Sequence, residues 1–291
     1  MNEQTLSELQ NRRHKRALQI IKRWRLMDDD FMKRCLKDNI PAVECILRII
    51  MEQPDLTVLS VHIEDTIPNL LGRGIRMDVH AIDSTGTEYD IEVQRSDKGA
   101  GTRRARFNSS LLDLNSLKKG NTYDQLPESY VIFITENDIF KEGLARYHIN
   151  RIIEELNRPF DDGEHIIYVN GDYHGQDDIG KLMNDFRSSK VDDIILEPLK
   201  ETVNRYKNNP REVAAMCADL EKWSMEERAE GIAEGIEKGV KKGRVEGRAE
   251  GAELFAKLLK LLQADGRTDD IELALEDKEA RERLYKEYHL E

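Results

Sequence analysis

Asp78, Glu92 and Gln94 have the side-chain types and the spacing to do metal-assisted chemistry. The segment IRMDVHAI (75–82) alternates, with Ile75, Met77, Val79 and Ala81 on one face and Arg76, Asp78 and His80 on the other. YDIEVQ (89–94) sets Tyr89, Ile91 and Val93 against Asp90, Glu92 and Gln94 in the same way. Joined by Asp83-Ser84-Thr85-Gly86-Thr87, the two read as a hairpin. A three-residue loop with Gly86 at the left-handed position pairs Asp83 with Thr87. Counting outward pairs His80 with Asp90, Asp78 with Glu92, and Arg76 with Gln94. Directly opposed residues have Cβ atoms about 5 Å apart. The two carboxylates then face each other on the polar side of the sheet. A two-residue loop would put them on opposite faces.

Opposed like charges destabilise a hairpin unless something compensates. Mg²⁺ does so, being a hard cation held by one or two carboxylates plus waters and phosphate oxygens. Such an ion polarises a phosphoryl group, lowers the pKa of a water, and stabilises a leaving oxygen. The competing reading is a solvated strand face whose charges are spread by water and by Arg76, and alternation alone does not separate the two. His80 is read as bonding a neighbour, with Asp90 placed opposite it, ahead of a role in proton transfer.

These strands need a scaffold. Asn39 can cap a helix with Pro41 in its first turn and Val43, Ile46, Leu47 and Ile50 at helical spacing, stopped near Pro54. LTVLSVHI (56–63) reads as a strand ahead of the hairpin. Thr102 can cap a second helix bearing Ala105, Leu111, Leu112, Leu114 and Leu117. SYVIFIT (129–135) is apolar almost throughout, as a buried strand is. Residues 146–157 read as a helix with Ile149, Ile152, Ile153 and Leu156 as its buried stripe. Helix, three strands, helix, strand is an α/β order.

RMD followed by EVQ on the next strand, inside that order, resembles the PD-(D/E)XK nuclease superfamily. More narrowly, MDDDFMKRCLKDN, the RMDVHA–EVQR hairpin, KGAGTRRARFNSSLLD, LPESYVIFITEND and HIIYVNG are similar to bacterial recombination-promoting nucleases and transposases. The resemblance covers roughly residues 27–190, and the glycine-punctuated tail is similar too. It implies a restriction-endonuclease-like core, with a mixed sheet flanked by helices and a helical C-terminal region behind it. It also implies metal-dependent DNA cleavage of low sequence specificity and a role in recombination. The cofactor would be Mg²⁺, with Mn²⁺ as a substitute.

By that resemblance Asp78 and Glu92 ligate the metal, and Gln94 stands where the superfamily usually has lysine. Glutamine is neutral and can only orient by hydrogen bonds. Members often add an acid from the first helix, and Glu44 is the candidate, against the alternative of an exposed helix glutamate. A protein that keeps the fold but only binds DNA or self-associates is the rival function, and an RNA nuclease fits the same site. Arg95, Lys98, Arg103, Arg104 and Arg106 lie in RSDKGAGTRRAR (95–106) with one acid, Asp97, leading into a helix N-terminus that favours phosphate. No aromatic interleaving or base-reading pattern accompanies them.

The 291 residues carry a formal net charge of -12, which argues against coating nucleic acid by bulk charge but leaves room for a local basic groove. A charged fraction of 35% against 39% hydrophobic points to long solvated helices beside a compact body. Cys35, Cys45 and Cys217 show no CxxC pairing, as in a reducing cytoplasm. No secretory signal or membrane span is expected. Four regions follow: a basic segment (1–27), the nuclease domain (28–200), a charged helical tract (201–250) and a small helical unit (251–291). In the tract Gly231, Gly235, Gly239, Gly243, Gly247 and Gly251 recur every four residues. Helix packing, including homo-oligomer formation, and a flexible charged helix both fit that period.

Overall fold

Helix α1 (Glu3–Arg23) makes the basic N-terminal stretch amphipathic: Ala17 and Ile21, four residues apart, are buried, while Arg13, Lys15 and Arg16 are exposed. The computed structural model describes residues 3–67, 75–95 and 99–290. These form two compact units, one ending at Glu221 and one beginning at Lys222. Among the described residues no helix is long and apolar enough to cross a membrane.

Helix α2 (Asp29–Leu36) buries Phe31, Met32, Cys35 and Leu36. In α3 (Ile40–Met51) the Asn39 side chain accepts the Ala42 N–H over 3.3 Å, and Pro41 lies in the first turn. The expected stripe of Val43, Ile46, Leu47 and Ile50 is buried. Strands β1 (Val58–Ile67), β2 (Ile75–Asp83) and β3 (Glu88–Gln94) then form an antiparallel meander. Gly86 has φ 88°, the Asp83 N–H donates to the Thr87 carbonyl, and His80 pairs with Asp90, as the three-residue loop requires.

Helix α4 (Thr102–Ser116) crosses over to β4 (Ser129–Thr135), which lies parallel to β3. Strand β5 (Arg146–Ile149) is followed by a two-stranded ribbon of β6 (Ile152–Ile153) and β7 (Arg158–Pro159). Strand β8 (Glu164–Asn170) runs parallel to β4 and antiparallel to β5. The six-stranded mixed sheet has the order β1-β2-β3-β4-β8-β5. One face buries Val79, Ala81, Ile91, Ile132 and Val169 against α2, α3 and α5 (Asp178–Arg187). On the other, Ala105 of α4 packs with Val131, Phe133 and Tyr168. Helix α6 (Glu197–Asn208) adds Leu199 and Val203 to the first core. The sheet flanked by helices, with a helical region after it, is the architecture expected.

Four local expectations fail for physical reasons. Residues 146–157 are not a helix: Arg146–Ile149 joins the sheet edge as β5, Ile152–Ile153 forms a ribbon with β7, and Ile149, Ile152 and Leu156 are exposed. Spacing of three and four residues mimicked a helix there. Gly101, not Thr102, is the N-cap of α4, and its carbonyl accepts the Arg104 and Ala105 N–H groups. The buried face of α4 runs through Ala105, Asn108, Ser109 and Leu112, so Leu114 is exposed. Met77 does not join Val79 and Ala81; it packs on Leu112 of α4, so strict alternation breaks at Asp78.

Helix α7 (Pro210–Ala264) begins in the first unit, where Met216 and Cys217 are buried. In the second unit it carries the glycines every fourth residue. A Cβ built at each of these six meets nothing within 4 Å, so none of the described residues packs into their groove. Its last turns close a small core, Leu258 and Leu262 meeting Ala274 of α8 (Thr268–Glu276) and Leu284 of α9 (Lys278–Glu287).

Candidate metal and nucleic-acid site

The β2–β3 ladder runs from Ile82 opposite Glu88 to Val79 opposite Ile91, and the same register carried one step on sets Asp78 opposite Glu92. On its other side Asp78 falls between the pairs Ile63–Val79 and Asp65–Met77, opposite Glu64. Glu64 has φ 56°, a left-handed backbone that side-chain-bearing residues seldom adopt. The strand end is therefore irregular where the two acids meet. The backbone N–H groups of Val93 and Asp78 favour the charged forms of Asp78 and Glu92 respectively. Asp78 meets Lys33 of α2 while Glu92 meets Arg104 of α4, so the pair lies across the strand seam rather than on one flat polar surface, as alternation had predicted.

Cations reach the pair from opposite sides of the sheet. From α2, Lys33 Nζ lies 3.0 Å from Asp78 Oδ1. From α4, the Arg104 guanidinium is bonded to Glu92 Oε2 and rests 5.6 Å from the Phe133 ring centroid. Gly99 lies beside it at φ 87°: a Cβ there would come within 3.3 Å of the Arg104 guanidinium. Gln94 offers its amide N–H to Glu92 Oε2 at 3.4 Å, a long contact.

Burial dominates the titration of these acids. Burial first, then the charge of Asp29, raises Asp78 above the usual carboxylate range against the pull of Lys33. Burial first, then the charge of Asp78, pushes Glu92 up to about 7 against Arg104. Asp90 has no exposed surface and is raised well above its ordinary value by burial and then by Glu92, with Asn108 opposing. Among the described residues Glu92 Oε1 and Asp90 Oδ1 are buried without a hydrogen-bond partner. A buried acid raised by a neighbouring acid, with an orphaned acceptor of its own, fits a bound divalent cation. Among the described residues no three His, Cys, Asp or Glu side chains gather as a metal group, so two carboxylates are what these residues offer.

The remaining sequence candidates divide. Glu44 is not brought to the pair: its carboxylate accepts the Val58 N–H over 3.0 Å and pairs with Arg48 at 2.6 Å, at the far end of β1. The cause is its place on α3, whose polar edge caps the start of that strand. Arg95 is exposed and lies 3.5 Å from Asp28 and 3.8 Å from Glu136. Arg103 and Arg106 are exposed on the first turns of α4, whereas Arg104 turns inward to Glu92. Lys98 lies outside the described residues. His80 is buried and bonds Asp65 and Glu88, at 3.0 and 3.2 Å, rather than Asp90 opposite it. Burial lowers its pKa, but those two carboxylates outweigh burial and raise it.

The sequence pattern does not point to Lys33 or Asn108, and it points to Asp90 only as the residue opposite His80. Asn108 Nδ2 donates to Asp90 Oδ2 over 3.2 Å, and Ser109 Oγ to Glu164 Oε1 over 2.5 Å. The available signal was the polar pair Asn108-Ser109 in the middle of an otherwise apolar helix face. For Lys33 it was the spacing of Asp29 and Lys33, one helical turn apart.

Residues 48–172 match the family model described as PD-(D/E)XK nuclease family transposase. No curated protein and no solved structure matches the chain.

Proposed function

We propose that the chain, whose residues 48–172 match the model of the PD-(D/E)XK nuclease family transposases, is a Mg²⁺-dependent DNA endonuclease of low sequence specificity, acting in recombination or transposition-like processes. The observation that carries this reading is the orphaned Glu92 Oε1, buried beside Asp78. Asp78 and Glu92 would hold the ion, with Mn²⁺ able to substitute. Bound there, the ion supplies Lewis-acid activation of phosphate and water. Gln94 orients by hydrogen bonding and brings no charge. Arg103 and Arg106 present exposed cations on the first turns of α4, where a phosphate backbone gains both charge and free N–H groups, and Arg95, exposed at the end of β3, adds a third cation. Lys98 belongs to the same basic stretch. Residues 28–200 are assigned the cleavage function in the cytoplasm, and the helices of 201–291 a role in self-association.

Plasmid nicking tests the assignment, with Mg²⁺, Mn²⁺ and EDTA arms and the variants Asp78→Asn and Glu92→Gln. Metal-dependent cutting that either variant reduces by about 10³-fold or more supports it. One observation favours a second reading, a DNA-binding protein without activity: Lys33 and Arg104 already neutralise the two acids. Retention of DNA with no cutting in any divalent metal would establish that instead. Faster cutting of RNA than of DNA would reassign the substrate.

A further inference from the structure

Hydrolysis of a phosphodiester builds negative charge on the phosphoryl oxygens and the leaving oxygen, and a cation placed there speeds it. Position 94, two residues past Glu92, is where the motif's lysine would stand, and it holds a neutral amide. An ammonium is nevertheless present. Lys33 Nζ lies 3.0 Å from Asp78, 2.8 Å from Asp29 and 3.5 Å from Glu64, so its three protons have three carboxylates to meet. Asp29 and Glu64 are exposed and screened by solvent; Asp78 is buried.

We propose that Lys33, delivered on α2 from the opposite side of β2, supplies the catalytic cation that residue 94 lacks. The inference rests on the nuclease reading above. Anchoring α2 does not explain the residue. Phe31, Met32, Cys35 and Leu36 already fix that helix in the core, and burying an ammonium costs more than burying another apolar side chain would. Lys33 is also differently placed from Arg104. The guanidinium is committed to Glu92 and braced on Phe133, whereas the ammonium ends a flexible stem whose exposed partners release it readily. When an ion occupies Asp78, the ammonium loses its buried counter-charge and an incoming phosphate becomes its natural partner.

The test uses the full chain as wild type, K33M, K33Q, K33R and K33M/Q94K, reading plasmid cleavage, Mn²⁺ affinity by calorimetry, and melting temperature. Expected are cutting slowed about 100-fold in K33M and K33Q, with Mn²⁺ binding retained. K33R, which keeps the charge, retains most of the rate. K33M/Q94K, which moves the amine to the motif position, regains about tenfold over K33M. K33Q keeps the position polar should K33M fail to fold. Cutting within about threefold of wild type in either neutral variant overturns the inference and leaves the nuclease reading standing. So does slow cutting accompanied by lost Mn²⁺ binding, or by no gain in K33M/Q94K, since Lys33 would then be structural. A wild type that cuts nothing in any metal ends the nuclease reading, and this inference with it.

Discussion

The Arg104 guanidinium is bonded to the carboxylate of Glu92, which has no exposed surface, while Arg104 itself is 39% exposed. A partly solvated cation thus stabilises the charge on a dry anion. Replacing it with a neutral amide, Arg104→Gln, leaves Glu92 held up by burial and by Asp78 alone. The pH midpoint of Mn²⁺ binding should then move upward by about one unit, and affinity at pH 7 should fall about tenfold. Calorimetric titrations at pH 6, 7 and 8 read this directly. A midpoint that stays put would mean Arg104 does not control Glu92.

The metal-free protein should lose stability as pH rises from about 4.5 to about 7. Glu92 carries a folded pKa of about 7 against an ordinary 4.5, so the folded chain binds more protons within that window. Its contribution is fully present below 4.5 and gone above 7. The raised Asp78 and Asp90 act in the same sense. Melting curves should show a decline that Glu92→Gln flattens and that saturating Mg²⁺ reverses above pH 7. Rising stability across the same range in the metal-free wild type would contradict the buried, mutually repelling acids.

Asn108→Ala removes the Nδ2 donor from Asp90, whose other oxygen already lacks a partner. Leaving that carboxyl unsatisfied should cost roughly 1–3 kcal/mol in urea unfolding. Asp90→Asn in the same background should recover part of the loss, because a neutral amide is less costly to bury than an acid. Additive losses in the double variant would show the two residues to be independent.

Gly239→Ala and Gly243→Ala should each stabilise α7 by up to about 1 kcal/mol, since a Cβ at either position meets nothing among the described residues. Circular dichroism on the full chain reads the gain in helicity. Self-association through that groove predicts the opposite trend in sedimentation: the added methyls would hold a second helix away and weaken the oligomer. Unchanged mass with raised helicity would leave the glycines without a packing role.

The hairpin register was legible from the residues because local rules govern it. Gly86 permits the left-handed turn, Asp83 closes it by accepting the Thr85 and Thr87 N–H groups at 2.8 and 3.0 Å, and the rest follows by counting. The α3 cap and stripe were legible for the same reason, and so was SYVIFIT, buried along its whole length. The edge strand at Arg146–Ile149 was not. An apolar spacing compatible with a helix also fits a strand when a neighbour such as β8 offers hydrogen bonds, and no local signal says which neighbour is there.

What the chain determined by itself was which acids lie across one turn from each other. Tertiary structure alone decided what surrounds them. Lys33 and Arg104 come from helices on opposite faces of the sheet, Met77 crosses to the α4 side, and Glu44 is drawn away to the Val58 N–H. Turn chemistry acts over a few residues and survives in sequence. Charge and burial act through space, and their partners are assigned only when distant segments pack.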